Sequence, residues 1–160
     1  IHRARAGARL RCPGPLPRRA PPSLSLDETP MPAVTPDLPA QHAHLSALAS
    51  RLVEVDALPW RDTPSPKIRM KVLLEDPASG LLTALFLWEP GAVLGDHEHV
   101  RIEQSFILEG AIEDEEGECT AGNFVWRPSG SRHAARSPKG ALVLAFFLAP
   151  NRFFPAPAAT

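Results

Sequence analysis

Between Lys67 and Leu148 short apolar runs alternate with breaks built from Gly, Pro and acidic residues. Ile68–Leu74 reads as a β-strand, and Glu75-Asp-Pro-Ala-Ser-Gly80 carries turn chemistry. Leu81–Trp88 is apolar at every position but Thr83, the pattern of a strand covered on both faces. Pro90-Gly91 ends it. Further strands are predicted over Glu103–Glu109, Ala111–Asp114, Glu118–Thr120, Phe124–Arg127 and Ala141–Leu148. Gly110, Glu115-Glu-Gly117, Ala121-Gly-Asn123 and Pro128-Ser-Gly-Ser131 turn the chain between them. Upstream, Leu45, Leu48 and Leu52 have helical spacing, which predicts a short helix over His44–Val53. Short strands joined by glycine-rich turns indicate an all-β sandwich or barrel.

The first forty residues break this pattern. Nine of the 19 prolines and six Arg fall there, too little apolar surface to offset the entropy of ordering. Residues 1–40 are expected to be a disordered tail and 41–160 one folded domain, with its motif core at 67–148. The first Met is Met31, so residues 1–30 are a candidate mis-called translation start. A targeting segment is the rival reading; the density of Pro and the lack of an apolar stretch argue against it.

Charge changes the picture once the tail is set aside. Removing the six Arg and two acids of residues 1–30 from totals of 17 basic and 18 acidic residues leaves 11 and 16, a net charge of −5. An acidic domain has no electrostatic footprint for nucleic acid or an anionic membrane. Two cysteines, Cys12 and Cys119, are too few for a disulfide framework, which points to a reducing cytoplasm. Cys119 reads as a small buried side chain. No apolar run approaches the length of a membrane-spanning helix.

The candidate chemistry lies in four residues, His97, His99, Glu103 and His133. Side chains two apart on an extended chain share a face, so His97 and His99 point together, and Glu103 has the same parity. Arg101 has it too, and its cation would repel a metal, so the chain must bend or bulge between His99 and Glu103. Three imidazoles and a carboxylate suit a divalent transition metal such as iron, manganese, nickel, copper or zinc. Asp96 and Glu98 have the opposite parity and should face away. Ser105 and Ile107 share the face of Glu103 and are candidate pocket walls. On the strand leading to His133 the inward pair is either Phe124 and Trp126 or Val125 and Arg127; Phe124 and Trp126 are carried as candidates. His42 and His44, two apart, have no acidic or Cys neighbours and read as solvated histidines.

Both stretches resemble the paired motifs of the cupin superfamily. Gly91, His97, His99, Glu103 and Gly110 meet every fixed position of the first motif, and Gly122, Pro128, Gly130 and His133 match the second. Ser137 stands where the second motif usually has Asn. The Asp114–Gly117 turn and the run Gly130-Ser-Arg-His133 to Ser137 are similar to the cupin domain of ChrR-type zinc anti-sigma factors, where Ser is expected. The resemblance implies a double-stranded β-helix, or jelly-roll barrel, holding one divalent metal (Fe, Zn, Mn or Ni) near an open end. It also implies a homodimer, through sheet edges or the N-terminal strand region, and a small-molecule ligand or substrate. The activity it implies is a dioxygenase on a diketone or hydroxyketone-like substrate. The alternative is a metal- or ligand-sensing module without catalysis. Anti-sigma activity is not implied, because the His-x-x-x-Cys-x-x-Cys motif of the helical zinc domain is missing.

Overall fold

In the computed structural model, residues 33–46 and 48–155 are described. Residues 1–32 lie outside the described residues, and with them most of the expected disordered tail and the candidate mis-called start. The strands are β1 Arg61–Asp62, β2 Ile68–Asp76, β3 Leu81–Trp88, β4 Ala92–Glu98, β5 Glu103–Asp114, β6 Gly117–Thr120, β7 Phe124–Arg127, β8 Arg132–Ser137, β9 Ala141–Phe147 and β10 Arg152–Phe153. Their order is β1-β2-β3-β9-β5-β8-β4-β10, with β6 and β7 also paired to β5. This antiparallel sheet curls into a jelly-roll barrel. No helix among the described residues is long and apolar enough to cross a membrane.

The turns follow from local chemistry. Between β2 and β3, Asp76 accepts hydrogen bonds from the Ala78 amide (3.1 Å) and the Ser79 hydroxyl (2.6 Å), closing the hairpin without help from distant residues. Strand β5 carries the change from one half of the barrel to the other. Its first half pairs with β9 and β7, and its second half pairs with β6 and, at Glu113, with β8. The two strands expected over Glu103–Glu109 and Ala111–Asp114 are therefore one, bent by a bulge between Ile107 and Glu109. Gly110 sits at the bend with φ of 68°, and a Cβ there would lie 2.0 Å from the Gly140 carbonyl oxygen. Only glycine fits.

The interior is built in rungs across the strands. Phe86, Val143 and Ile107 form one, and Ala84, Ala145, Ser105 and Val125 the next. Leu82, Phe147, Glu103 and Arg127 form the third. Ile107 is 1% exposed, and its burial contributes about 1.5–3 kcal/mol. The middle rung has small side chains, so the barrel stays hollow where Glu103 enters it.

Two expectations for the N-terminal region are corrected. The helix is Pro39–His42, four residues long, and not His44–Val53. Leu48 and Leu52 are 98% and 85% exposed: their spacing meets no surface to pack against, and so short a helix has little stability of its own. Within the expected tail, Val34 and Thr35 also pack on the sheet. Val34 bridges Glu75, and the buried Thr35 donates its hydroxyl to the Leu73 carbonyl at 2.7 Å. Leu38 is buried as well.

Candidate metal centre

His97 near the end of β4 and His133 near the start of β8 are direct cross-strand partners. A bulge between Leu94 and His97 shifts the parity of β4, so that both line the interior although they are three residues apart. His99 follows just beyond the strand, held by backbone hydrogen bonds between its carbonyl and the Gly130 amide and between its amide and the Ser131 carbonyl. The chain bends at Val100 and Arg101 before β5 begins, and Arg101 stays exposed. The bend anticipated from the Arg101 charge is thus present.

The three imidazoles form a near-equilateral group, with ring centroids 4.9, 4.7 and 5.1 Å apart. One nitrogen from each lies within 4.8 Å of the others, so His97, His99 and His133 could hold a metal ion. Their tautomers suit that. His97 donates Nδ1–H to the Gly95 carbonyl (2.8 Å), and His133 donates Nδ1–H to the Asp114 carboxylate (2.9 Å). Each Nε2 is thereby left as an unprotonated electron-pair donor. Burial first, then the charges of Arg127 and His97, pushes the His133 pKa down to about 4, beyond what the Asp114 hydrogen bond restores. Burial likewise lowers that of His97, with the Gly95 hydrogen bond opposing it. Neutral rings are the form a metal takes.

His99 supplies the test of fit. It is 0% exposed, yet neither ring nitrogen has a hydrogen-bond partner. The Glu103 carboxylate lies 3.0 Å from its Nδ1 but off the direction of a hydrogen bond. Leaving such a group unsatisfied costs about 1–3 kcal/mol, which a bound cation would offset. Glu103 itself accepts from the Ser105 hydroxyl (3.2 Å) and the Asn151 amide (3.0 Å). Burial raises its pKa, but His99 and Asn151 outweigh this and hold it below the usual carboxylate range. Glu103 is therefore an anion beside the histidine group, against His99.

A cavity of about 380 Å³ opens over this group. Ser105 and Ile107 line it, as do Val125 and Arg127. Phe124 and Trp126 do not: they project outward, 52% and 58% exposed, which corrects their assignment to the pocket. Asp96 and Glu98 are turned away from the group, paired with Arg132 and Arg152. Cys119 is half-buried and packs against the core.

Four residues of the site have no assigned role in the sequence reading. Asp114 accepts from His133, Arg127 and the amides of Glu116 (2.8 Å) and Gly117 (3.2 Å). Arg127 carries a cation into the cavity wall. Asn151 reaches Glu103, and Phe153 stacks on His97 with centroids 5.3 Å apart. Ser137 is fully buried and ties β8 to β5 by donating to the Ala111 carbonyl (2.7 Å).

Residues 48–152 match the family model described as the ChrR cupin-like domain. No curated protein matches the chain. Among solved structures it is similar to a provisionally assigned acetylacetone dioxygenase from Methylibium petroleiphilum PM1, at 23% identity and a TM-score of 0.64, over 71% of this chain and 87% of that one. An acetylacetone dioxygenase from Acinetobacter johnsonii matches at 20% identity and a TM-score of 0.62, over 72% and 85%. The complex of SigE with the anti-sigma ChrR from Rhodobacter sphaeroides matches at 22% identity and a TM-score of 0.50, over 81% and 70%. At such identities the likeness establishes the jelly-roll fold alone.

Proposed function

Because the chain belongs to the ChrR cupin-like domain family, we propose that it is a metal-dependent small-molecule enzyme of dioxygenase type, acting on a diketone or hydroxyketone-like substrate. The observation that carries this reading is the buried three-histidine group with an orphaned His99, set at the wall of an apolar cavity of about 380 Å³. His97, His99 and His133 would hold the metal, with Glu103 as a fourth ligand. A redox-active divalent metal here would supply Lewis acidity toward a chelating oxygen and access to dioxygen.

The chain's own residues account for binding and orientation. Phe86, Ile107, Val143 and Phe147 surround an apolar substrate body and exclude water. Arg127 lines the wall with its charge paired to Asp114, and its remaining N–H groups can donate to a substrate oxygen. Asn151 and Ser105 fix the Glu103 carboxylate, and Asp114 fixes the ring of His133. Similarity to proteins named acetylacetone dioxygenase supports the substrate class.

The test is oxygen consumption. Protein loaded with Fe(II) under anaerobic conditions is mixed with a panel of β-diketones and hydroxyketones, air is admitted, and uptake is followed. Substrate-dependent uptake that disappears in His133→Ala is expected. Silence across the panel, together with tight zinc binding and a ligand-dependent change of shape, would replace this reading with the ligand-sensing module.

A further inference from the structure

We propose that the inner end of the cavity is a subsite for a bulky apolar substituent. On this inference, which rests on the function proposed above, the substrate is an aryl- or long-alkyl-substituted β-diketone or hydroxyketone. A small diketone such as acetylacetone would leave the subsite empty.

The cavity wall divides by chemistry along the barrel. At the histidine end it carries Glu103, Arg127, Asn151 and, one rung in, Ser105. Further in, the rung of Met70, Phe86, Val143 and Ile107 is wholly apolar. The rung beyond it begins with Ile68 and Trp88, both buried. On the facing sheet Leu94 and Ala135 are paired on the inner side of His97 and His133. Leu82, Phe86 and Trp88 of β3 all line the cavity, and at about 3.3 Å per residue the first and last stand roughly 20 Å apart. The wall is therefore long enough to hold a polar head at one end and an apolar body at the other.

Among the described residues only Thr63 and Ser65 bring polar side chains to the inner end. The Thr63 hydroxyl is already engaged, donating to the Ile68 carbonyl (2.9 Å) and accepting from the Ser65 amide (3.2 Å). Water placed there would lack the roughly two to four partners that hold a buried water molecule. An apolar group gives up no hydrogen bond on entering, and it removes the cost of an unfilled space. Size points the same way. The cavity, about 380 Å³, is more than twice the roughly 150 Å³ apolar space that accommodates benzene. It has room for a chelating head and an aromatic ring together.

The test uses the full chain loaded with Zn(II), which has no redox chemistry and is diamagnetic. Calorimetric titration compares acetylacetone with benzoylacetone, which has a phenyl ring in place of one methyl group. Benzoylacetone is expected to bind at least roughly 10-fold more tightly. Val143→Phe and Met70→Trp, which fill the inner end from β9 and from β2, should each bring that ratio within about threefold. A reading that needs no variant comes from nuclear Overhauser contacts in the unaltered protein, which should join the phenyl protons to the Ile107 and Val143 methyls. A ratio already within about threefold in the wild type, phenyl contacts to Asn151 and Phe153 in place of Ile107 and Val143, or a ratio unchanged in both folded variants would each overturn the subsite and leave the metal centre as read. Binding of neither diketone would overturn the subsite and the proposed function together. Benzoylacetone bound in the expected pose, with no oxygen uptake by the Fe(II)-loaded protein, would overturn the dioxygenase reading and support the subsite.

Discussion

Replacing Asp114 with Asn should damage metal binding more than its position outside the histidine group suggests. Every partner of this carboxylate is a donor: His133 Nδ1 and Arg127 on one oxygen, the Glu116 and Gly117 amides on the other. An Asn of the same shape can accept on one atom only, and its NH2 must then face two donors. If the amide turns toward the backbone, the turn at Glu116 loosens. If it turns inward, His133 loses the acceptor that fixes its tautomer, and Arg127 keeps only Glu116, at 3.6 Å and 80% exposed, as a charge partner. The Asp114 side chain is 4% exposed and that of Arg127 is 14% exposed, so water replaces little of what is lost. Two unsatisfied donors at about 1–3 kcal/mol each predict a loss of roughly 2–6 kcal/mol in stability of the apo-protein. Loss of an outer partner of a ligating histidine predicts metal affinity reduced about 10- to 100-fold. Competition against a chromophoric chelator measures the affinity, and urea unfolding of the metal-free protein measures the stability. Asp96→Asn is the control, because Asp96 pairs with Arg132 in solvent and should leave affinity and midpoint unchanged. Metal affinity within about threefold of wild type in Asp114→Asn would refute the reasoning.

Other consequences follow from the same geometry. His97→Ala or His133→Ala should reduce bound metal well below one per chain by elemental analysis; stoichiometric metal in either would sink the ligand assignment. Burial, then the charges of Arg127 and His97, holds His133 at about 4 in the folded apo-protein, against about 6.5 in an unfolded chain. The unfolded state therefore takes up the proton first. This contribution to stability, on the order of 3 kcal/mol, is complete above about pH 6.5 and lost as pH falls through about 4. Urea midpoints of the apo-protein that stay flat between those values would contradict it. Bound metal should leave over the same acidic range, since protons compete for the same nitrogens. Gly110→Ala should cost about 2 kcal/mol or more, from a positive φ and a blocked Cβ beside Gly140, and thermal melting would detect it.

What could be read from the sequence, and what could not, divides at the two bulges. Parity along an uninterrupted strand places Ser105 and Ile107 with Glu103, and they do line the cavity. The same count carried past Ile107 would turn Asp114 outward, away from His133. The bulge before Glu109 inverts it, so Ile112 lines the cavity and the side chain of Asp114 is inside. In β4 the bulge after Leu94 does the reverse service, placing Leu94 and His97 on one wall. Gly95 lies inside the β4 bulge and is a sequence mark for it, whereas only Leu108 stands at the β5 bulge, and so Asp114 was visible only as part of a turn. The choice between Phe124/Trp126 and Val125/Arg127 failed for a different reason. Aromatic rings are ordinarily the better guess for an interior, but Val125 faces Ser105 and Ala145 on the rung of small side chains, and Arg127 faces Glu103. The interior is hollow there because the side chains on that rung are small, and the rings go outside. An aromatic outward face and a cavity with small walls are two sides of one register. A substitution that slipped β7 by one residue would fill the cavity with Phe124 and Trp126 while setting Arg127 in the apolar face.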